Sequence, residues 1–165
     1  YYMTRYYRQA YDMHASNVIL FNHESPRRPA DYVTRKISQS VARISVGKQN
    51  ELILGDTSAM IDWGFSGDYV EAEWLAVQQE EPDDYVIATG EAHSVQDFVD
   101  EAFKVAGLDS ERYVKSSSEF YRVTPTSTLV GDSTKAREIL GFRPRINFQE
   151  LVKMMVEADL ERERD

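Results

Sequence analysis

The sequence has 165 residues, 42% hydrophobic and 28% charged, a balance typical of one soluble globular domain that excludes a disordered chain. It contains no cysteine and only three scattered histidines, which excludes disulfides and thiolate nucleophiles and argues against a dedicated zinc site. The formal net charge of -9 argues against nucleic acid as a partner, and no apolar run reaches the roughly 20 residues of a membrane span, so we expect a soluble cytoplasmic protein.

The first 13 residues carry five tyrosines and contain neither glycine nor proline. The period of one helical face recurs at Met3, Tyr7, Ala10 and Tyr11, so we predict a helix whose aromatic side chains pack against a sheet or a partner. The segment has neither an initiator methionine nor the charged and apolar zones of a signal peptide. It has the pattern of a helix entered in its middle, and we therefore expect a truncated chain.

An apolar run at 18–21 predicts a first strand over residues 16–22, buried on both faces. The stretch 22–37 follows it and leads into a helix. It carries four cations in a chain of net negative charge: Arg27, Arg28, Arg35 and Lys36. Ligands of open α/β sheets bind where the strands end, and a phosphate-bearing ligand is the simplest reason for positive charge at that point. We predict that such a ligand binds here.

Residues 31–47 predict a second helix, which Gly47 ends. Its apolar residues recur at the helical period, at Val33, Ile37, Val41 and Ile44. We predict the next three elements as a strand, a loop and a helix, at 51–54, 57–67 and 68–80. The apolar residues of this third helix fall on one face, at Val70, Trp74 and Val77.

The remaining sequence predicts one buried strand, at 85–89, and three helices. The helices lie at 94–107, at 133–140, and from 147 to the solvated run at 161–165. Side-chain caps mark two of the helix starts, because Ser94 with Asp97 forms a capping box and Asn147 with Glu150 caps the last helix. The apolar stripe of that last helix consists of Leu151, Met154, Met155 and Ala158. Residues 108–128 indicate loop, with a short strand at Tyr113 and Val114.

Buried strands that alternate with helices indicate an α/β protein. The three or four short strands are few for an independent doubly wound sheet, which favours a piece of a larger fold. No G-x-G-x-x-G or G-x-x-G-x-x-G string follows a strand, so the chain carries no dinucleotide fingerprint of its own.

Several strings occur in this chain in an order that points to one family: Asn22-His23-Glu24-Ser25-Pro26-Arg27-Arg28, Asp62-Trp63-Gly64, and those at 81–91 and 154–160. With them the chain resembles the GDP-mannose 4,6-dehydratases, which are extended short-chain dehydrogenase/reductases. The resemblance covers nearly the whole chain. The first string is specific to these dehydratases, because other members of the superfamily vary this loop.

The resemblance implies an α/β fold, the C-terminal part of a Rossmann-type extended short-chain dehydrogenase/reductase. Residues 1–165 would hold the last strands of the sheet and a small, mostly helical substrate domain, with the N-terminal NADP-binding part absent. It also implies conversion of GDP-mannose to GDP-4-keto-6-deoxymannose by oxidation, loss of water and reduction with one NADP, on the route to GDP-fucose. The family's catalytic Tyr-x-x-x-Lys and Thr/Glu pairs align upstream of Tyr1, so we expect no catalytic residue here and no activity from this chain alone.

The resemblance also assigns binding residues. His23 matches a contact to NADP near its nicotinamide, and Arg28 matches a contact to the phosphate side of the cofactor. The positions that match substrate contacts are Asn22 and Arg122 at the diphosphate, and Val33 and Lys36 at the guanine. A homodimer or homotetramer is implied for the complete enzyme.

The chain departs from the family pattern at several positions. Ile61 stands where the family usually has an arginine, Phe65 stands where it commonly has a histidine, and residues 123–127 lack two of its carboxylates. Two alternatives are therefore left open. In the first, the chain is a non-catalytic remnant that binds a nucleotide sugar or packs against a full-length homologue. In the second, it belongs to another GDP-sugar epimerase or reductase.

Other polar and aromatic residues have simpler interpretations. Arg35 is either a ligand contact or a solvated helix residue. Trp63 and Trp74 are expected in the core or at an interface. His14 and His93 are expected to be structural.

Overall fold

A computed structural model of the protein describes residues 1–117 and 128–164. The helices are α1 (Tyr2–Tyr11), α2 (Val33–Ser45), α3 (Ser66–Val77), α4 (Val95–Val105), α5 (Ser110–Tyr113) and α6 (Phe148–Arg164), with a π-helix at Ala136–Leu140. The strands are β1 (Asn17–Leu20), β2 (Asn22–Glu24), β3 (Leu52–Leu54), β4 (Met60–Ile61), β5 (Trp63–Phe65), β6 (Asp84–Ile87), β7 (His93–Ser94) and β8 (Val114–Ser116). None of the described helices is both long enough and apolar enough to cross a membrane.

The strands form four short pairs within the described residues. β1 pairs with β6, β2 with β5 and β3 with β8 in parallel, whereas β4 and β7 are antiparallel. One residue, Phe21, separates β1 from β2, and its backbone N–H still donates to the Ile87 carbonyl at 2.9 Å. The chain therefore changes strand partners at the point where the predicted binding stretch begins.

Two hydrophobic clusters hold these elements together. The larger one lies among α2, α4 and α6, where Ile37, Phe98 and Leu151 have no exposed surface. The smaller one lies between α3 and the β1–β6 pair and includes Tyr69 and Ile87. Burying an apolar face in each cluster supplies most of the free energy that holds such helices on a sheet.

Several sequence predictions are confirmed. Ile37 and Val41 of the α2 stripe are buried, and Gly47 ends the helix with a φ of 73° that favours glycine. The Ser94 hydroxyl accepts from the Asp97 amide at 2.9 Å, while the Asp97 carboxylate accepts from the Ser94 amide at 2.7 Å. These two bonds complete the predicted capping box.

The predicted loop at 57–67 is wrong, because it contains both β4 and β5. These strands have two and three residues, too short to show a period of hydrophobicity, and their partners β7 and β2 lie far away in the sequence. Pairing with distant backbone, rather than local propensity, makes them strands.

The predicted apolar face of α3 is also wrong. Val70, Trp74 and Val77 are exposed, while Tyr69, Ala72 and Ala76 are buried. The two alanines allow the helix to approach the sheet closely, so small residues rather than large ones mark the packed face. Trp63 is in the core as predicted, whereas burial of Trp74 at a partner interface stays a prediction.

The expected burial of β1 on both faces is wrong in this chain, because Ile19 is 48% exposed. The predicted helix α1 is present, but it buries no residue, and Tyr6, Tyr7 and Tyr11 pack on one another in the open. Its link to the sheet is polar, through the ion pair of Arg8 with Asp84 at 2.6 Å. Packing of these tyrosines against a partner stays a prediction.

The last helix has its predicted caps, since Asn147 and Glu150 exchange two hydrogen bonds of 2.9 Å. Its apolar stripe is turned from the prediction. Leu151 and Met155 are buried as expected, but Val152 and Val156 complete the buried face, while Met154 and Ala158 are only half-buried.

Candidate functional site

A cavity of about 360 Å³ lies at the carboxyl end of β1. It is lined by Leu20, Phe21, Asn22, His23, Arg28 and Leu129. Three of the six predicted binding residues therefore face one concavity at a strand end, where ligands of parallel sheets bind. The contacts predicted for Asn22, His23 and Arg28 stay predictions, but the fold brings these three side chains together.

The change of strand partners at Phe21 fixes the orientation of His23. The Nδ1 atom of His23 lies 2.9 Å from the Phe21 carbonyl oxygen. A carbonyl can only accept, so Nδ1 carries the hydrogen, and in the neutral imidazole Nε2 is left as an acceptor. The side chain is thus held with one ring nitrogen committed to the protein.

The ring of Tyr69, in α3, packs against the ring of the same histidine. The two ring centres are 5.4 Å apart, and the tyrosine ring passes so close to Gly64 that a Cβ there would meet it at 2.4 Å. Glycine is therefore required at this position of β5. Burial, with the charges of Asp62 and Asp68, raises the pKa of the Tyr69 hydroxyl, so it stays neutral.

Arg28 is held in place by a carboxylate and an aromatic ring, but its side chain donates no hydrogen bond to a described group. Its Nε lies 3.3 Å from the carboxylate of Glu24, and its guanidinium stacks over the Tyr32 ring at 3.5 Å. Within the described part of the chain, no group accepts a hydrogen bond from its side chain, and Nε is buried without one. The two terminal amino groups are thus available for an anion in the cavity.

Glu24 is the carboxylate behind Arg28, and only 2% of its surface is exposed. It accepts a hydrogen bond of 2.7 Å from the Thr34 hydroxyl. Burial raises the pKa of Glu24, against the opposing effects of Thr34, Arg28 and His23. The Arg28 guanidinium therefore contacts a carboxylate that is buried away from water.

Arg35 and Lys36 do not line this cavity, so of the four cations in the stretch 22–37 only Arg28 does. Arg35 forms an ion pair of 2.8 Å with the buried Asp159 and donates to the Pro26 carbonyl at 2.7 Å. With its side chain 11% exposed, it is not the solvated residue that was the alternative. Its charge is used to fasten α2 and the 22–28 loop to α6.

The guanine-contacting residues also lie elsewhere. The Lys36 ammonium donates to the Ile53 carbonyl at 2.7 Å, and Val33 is the first residue of α2. Neither lines the cavity of Asn22 and His23, so their contacts to a ligand stay predictions. Arg122, the predicted diphosphate clamp, falls outside the described residues.

Asp62 is the residue that sequence reasoning missed. It is fully buried at the junction of β4 and β5 and accepts four hydrogen bonds, from the Thr89 amide and hydroxyl and from the amides of Gly90 and Gly131, at 2.6 to 3.1 Å. It therefore ties the loop after β6 to the segment at Gly131. The Asp62-Trp63-Gly64 string was visible, but its interpretation as loop hid the role of the aspartate.

Gly131 shows how tight this junction is. A Cβ at this residue would lie 2.2 Å from the Ala88 Cβ and 3.0 Å from the ring of Phe21, which lines the cavity. Glycine thus lets the chain pass close to Ala88 and to the ring of Phe21. No group of three or more potential metal ligands was found in the described ranges.

Comparison with known proteins gives one consistent result. The profile of the family described as GDP-mannose 4,6 dehydratase matches residues 1–155. GDP-mannose 4,6 dehydratase 1 of Arabidopsis thaliana is 53% identical over 155 residues, which is 94% of this chain and 43% of the relative. The human GDP-mannose 4,6 dehydratase is 46% identical over 172 residues, 94% of this chain and 46% of the relative. The chain thus spans less than half the length of these relatives.

Solved structures confirm the fold. RMD from Pseudomonas aeruginosa, complexed with NADPH, superposes with a TM-score of 0.89 at 16% identity, over 98% of this chain and 53% of that one. The dTDP-glucose 4,6-dehydratase of Bacillus anthracis, in complex with NAD, gives 0.82 at 13% identity, over 99% and 50%. The predicted α/β fold, part of a Rossmann-type extended short-chain dehydrogenase/reductase, is therefore confirmed.

Proposed function

The chain belongs to the GDP-mannose 4,6-dehydratase family, and from that premise we propose that it supplies the substrate site and part of the cofactor site of such an enzyme. The reaction is the conversion of GDP-mannose to GDP-4-keto-6-deoxymannose. The proposal includes NADP as the cofactor, a cytoplasmic location and a homodimer or homotetramer. It also includes an N-terminal NADP-binding part, outside residues 1–165, that carries the catalytic residues, so this chain is inactive alone.

The observation that carries the proposal is the cavity shared by Asn22, His23 and Arg28. Each presents a different group to it: an amide that both donates and accepts, an imidazole with Nε2 uncommitted, and a guanidinium with free amino groups. A ligand with phosphate, hydroxyl and amide groups can use all three. GDP-mannose and NADP are both ligands of this kind.

The residues present also fit a phosphate-bearing cofactor. The buried Nε of Arg28 has no hydrogen-bond partner among the described groups, and its guanidinium is fixed by Tyr32 and Glu24 before any ligand arrives. Bound NADP supplies the hydride acceptor and donor of the reaction. Arg28 would hold its phosphate side and His23 its nicotinamide side, while Asn22 orients the substrate diphosphate.

Protein groups fixed in advance reduce the cost of ordering when the ligand binds. A charge-assisted hydrogen bond contributes about 1.5 to 3 kcal/mol, or about ten- to a hundredfold in affinity. The affinity for a phosphate-bearing ligand should therefore depend measurably on the guanidinium of Arg28.

The test is product analysis with a complete polypeptide. The N-terminal part of Arabidopsis GDP-mannose 4,6 dehydratase 1 is fused ahead of this chain and supplied with GDP-mannose and NADP⁺. The proposal expects a 4-keto-6-deoxy sugar nucleotide, identified by mass spectrometry and by reduction to two 6-deoxyhexoses.

Other products would decide between the alternatives. A 4-epimer or a reduced sugar without loss of water would assign the chain to another GDP-sugar enzyme. A folded fusion that binds GDP-mannose and forms no product would favour a non-catalytic binding module. Arg112→Gln serves as the surface control for substitutions of Arg28, because the Arg112 side chain is 76% exposed and does not line the cavity.

A further inference from the structure

We propose that the protein has a second anion-binding site, in a cavity of about 300 Å³ between the loop after β6 and the segment that leads into α6. Its polar wall includes Arg137, Arg143, Arg145, His93, Glu91 and Asn147. None of these residues lines the cavity of Asn22, His23 and Arg28. The site takes a small molecule that bears a phosphate or pyrophosphate group.

Arg137 forms no ion pair with a described carboxylate, although its charge, after the hydrogen bonds from Thr134, helps to lower the pKa of the nearby Asp132. Its Nε donates to the Ser133 hydroxyl at 3.1 Å and one terminal amino group donates to the Thr89 carbonyl at 2.6 Å. Both acceptors are neutral, and the described carboxylates form no ion pair with it. The guanidinium is therefore fixed in place while its charge remains available to an anion.

Arg143 is held in the same way. One terminal amino group donates to the carbonyls of Arg137 and Phe142, at 2.9 and 2.7 Å. Again no acid of the described chain pairs with it. Arg145 differs, because Asp68 at 3.0 Å and Glu71 already neutralise it. The excess positive charge of the cavity thus comes from two arginines, which stand out in a chain of net charge -9.

His93 supplies a further polar group that lacks a partner. Its ring stacks on Phe148, with centres 3.8 Å apart and planes 9° apart. The Nε2 atom is buried and makes no hydrogen bond. Buried polar atoms in native proteins almost always have a partner, so an unsatisfied one beside a cavity points to a ligand or a bound water. The sequence prediction that His93 is purely structural leaves this atom unexplained.

The size and chemistry of the cavity identify the ligand class. A volume of about 300 Å³ is at the lower limit for small-molecule sites, which fits a phosphate or pyrophosphate with a short organic part. Guanidinium groups bind phosphate oxygens in pairs of parallel hydrogen bonds. Pro144, Ile146 and the edge of Phe148 add an apolar wall for the organic part.

Glu91 is the group that opposes such a ligand. It lines the cavity, its carboxylate lies 3.9 Å from His93 Nε2, and its side chain is 78% exposed. A bound anion would displace this carboxylate into solvent. Removing its charge therefore strengthens binding, which is the opposite of what removing either arginine does.

The experiment is a calorimetric titration of the 165-residue chain with inorganic pyrophosphate, without divalent metal. All proteins carry Arg28→Gln, so that binding in the other cavity does not contribute. The proposal expects saturable binding, weakened about tenfold or more by Arg143→Gln and by Arg137→Gln and tightened about threefold by Glu91→Gln. The surface control Arg112→Gln should leave the affinity unchanged.

The outcomes separate this site from a structural role and from the proposed function. Thermal unfolding shows whether Arg137→Gln folds, and Glu91→Gln and Arg143→Gln keep the test open if it does not. Absence of saturable binding overturns the second site. So does an affinity that neither Arg137→Gln nor Arg143→Gln changes relative to the protein with Arg28→Gln alone. Either result leaves the dehydratase proposal standing, because that proposal depends on Arg28.

Discussion

Two regions of the stretch 22–37 use the same residue type in opposite ways. At the cavity, Arg28 stands over Tyr32 with its amino groups open to a ligand. At the junction of α2 and α6, Arg35 is paired with the buried Asp159 and with the Pro26 carbonyl. The sequence shows equal charges, but only one of them is available outside the protein. A count of cations therefore overstates the charge that a ligand meets.

The two regions also depend on each other. Arg35 and Arg162 both donate to the Pro26 carbonyl, at 2.7 and 3.0 Å, and both contact Asp159. Pro26 lies two residues before Arg28 in the same loop. The buried network thus holds the loop that presents Arg28 to the cavity, so one region supplies rigidity and the other supplies an accessible positive charge.

The largest effect should come from removing the acid at the centre of the buried network. Asp159→Ala leaves Arg35 buried without its acid partner and removes the shorter of the two hydrogen bonds of the Ser38 hydroxyl, the one of 2.7 Å. Breaking one side of a buried ion pair typically costs about 3 to 5 kcal/mol. We expect a loss of that size in the free energy of unfolding, measured by urea denaturation.

The matched control is Glu157→Ala on the same helix. Glu157 pairs with Lys153 at 3.8 Å, and both side chains are more than half exposed. Such a pair contributes about 0 to 1 kcal/mol. Equal destabilisation by the two alanine variants would show that Asp159 is no special anchor.

The second effect concerns Asp62, which accepts a hydrogen bond from Gly131, the residue packed against the ring of Phe21. In Asp62→Asn, an amide nitrogen replaces one carboxylate oxygen and turns its donors toward other donors, such as the Gly90 and Gly131 amides, which lie at 3.0 and 3.1 Å from Oδ2. Leaving buried amides without an acceptor costs about 1 to 3 kcal/mol. We expect the free energy of unfolding, measured by urea denaturation, to fall by about 2 kcal/mol. The amide hydrogen of Gly131 should also exchange faster. Unchanged exchange at Gly131 would contradict this assignment.

The smallest effect is a change in the pH dependence of stability. Because burial raises the pKa of Glu24 above its ordinary value of 4.5, the folded protein binds a proton more tightly than the unfolded chain. Stability from this group is therefore fully present below pH 4.5 and is lost as pH rises through the raised pKa. Glu24→Gln removes this dependence. Its free energy of unfolding should rise relative to the unsubstituted protein as pH increases from 4.5, and a constant difference would refute the effect.

Local patterns in the sequence predicted where the long helices lie, and for α2 also which face is buried. The α2 stripe and the capping box of Ser94 and Asp97 depend on residues within one or two turns, so they are readable without the fold. The buried face of α3 was not readable in the same way. Its packed face consists of Tyr69 and two alanines, and the exposed face carries Trp74, so hydrophobicity pointed to the wrong side.

The polar architecture of the site could be predicted only in part. The string 22–28 correctly located Asn22, His23 and Arg28 at one cavity, because these residues are close in sequence and follow a strand. The partners of Arg35 and Asp62 could not be predicted, because they are distant in the sequence. Arg35 pairs with Asp159 near the other end of the chain, and Gly131 is 69 residues from Asp62. Which cation is neutralised depends on that distant packing.

The central claim is that Arg28 is the cation left open for the cofactor, and the affinity for NADP⁺ tests it most directly. The measurement compares the fusion with the N-terminal part of the Arabidopsis relative, with and without Arg28→Gln, by calorimetric titration. We predict that the substitution weakens NADP⁺ binding about ten- to a hundredfold while Arg112→Gln leaves it unchanged. Equal affinity of the Arg28→Gln and unsubstituted proteins for NADP⁺ would contradict the claim.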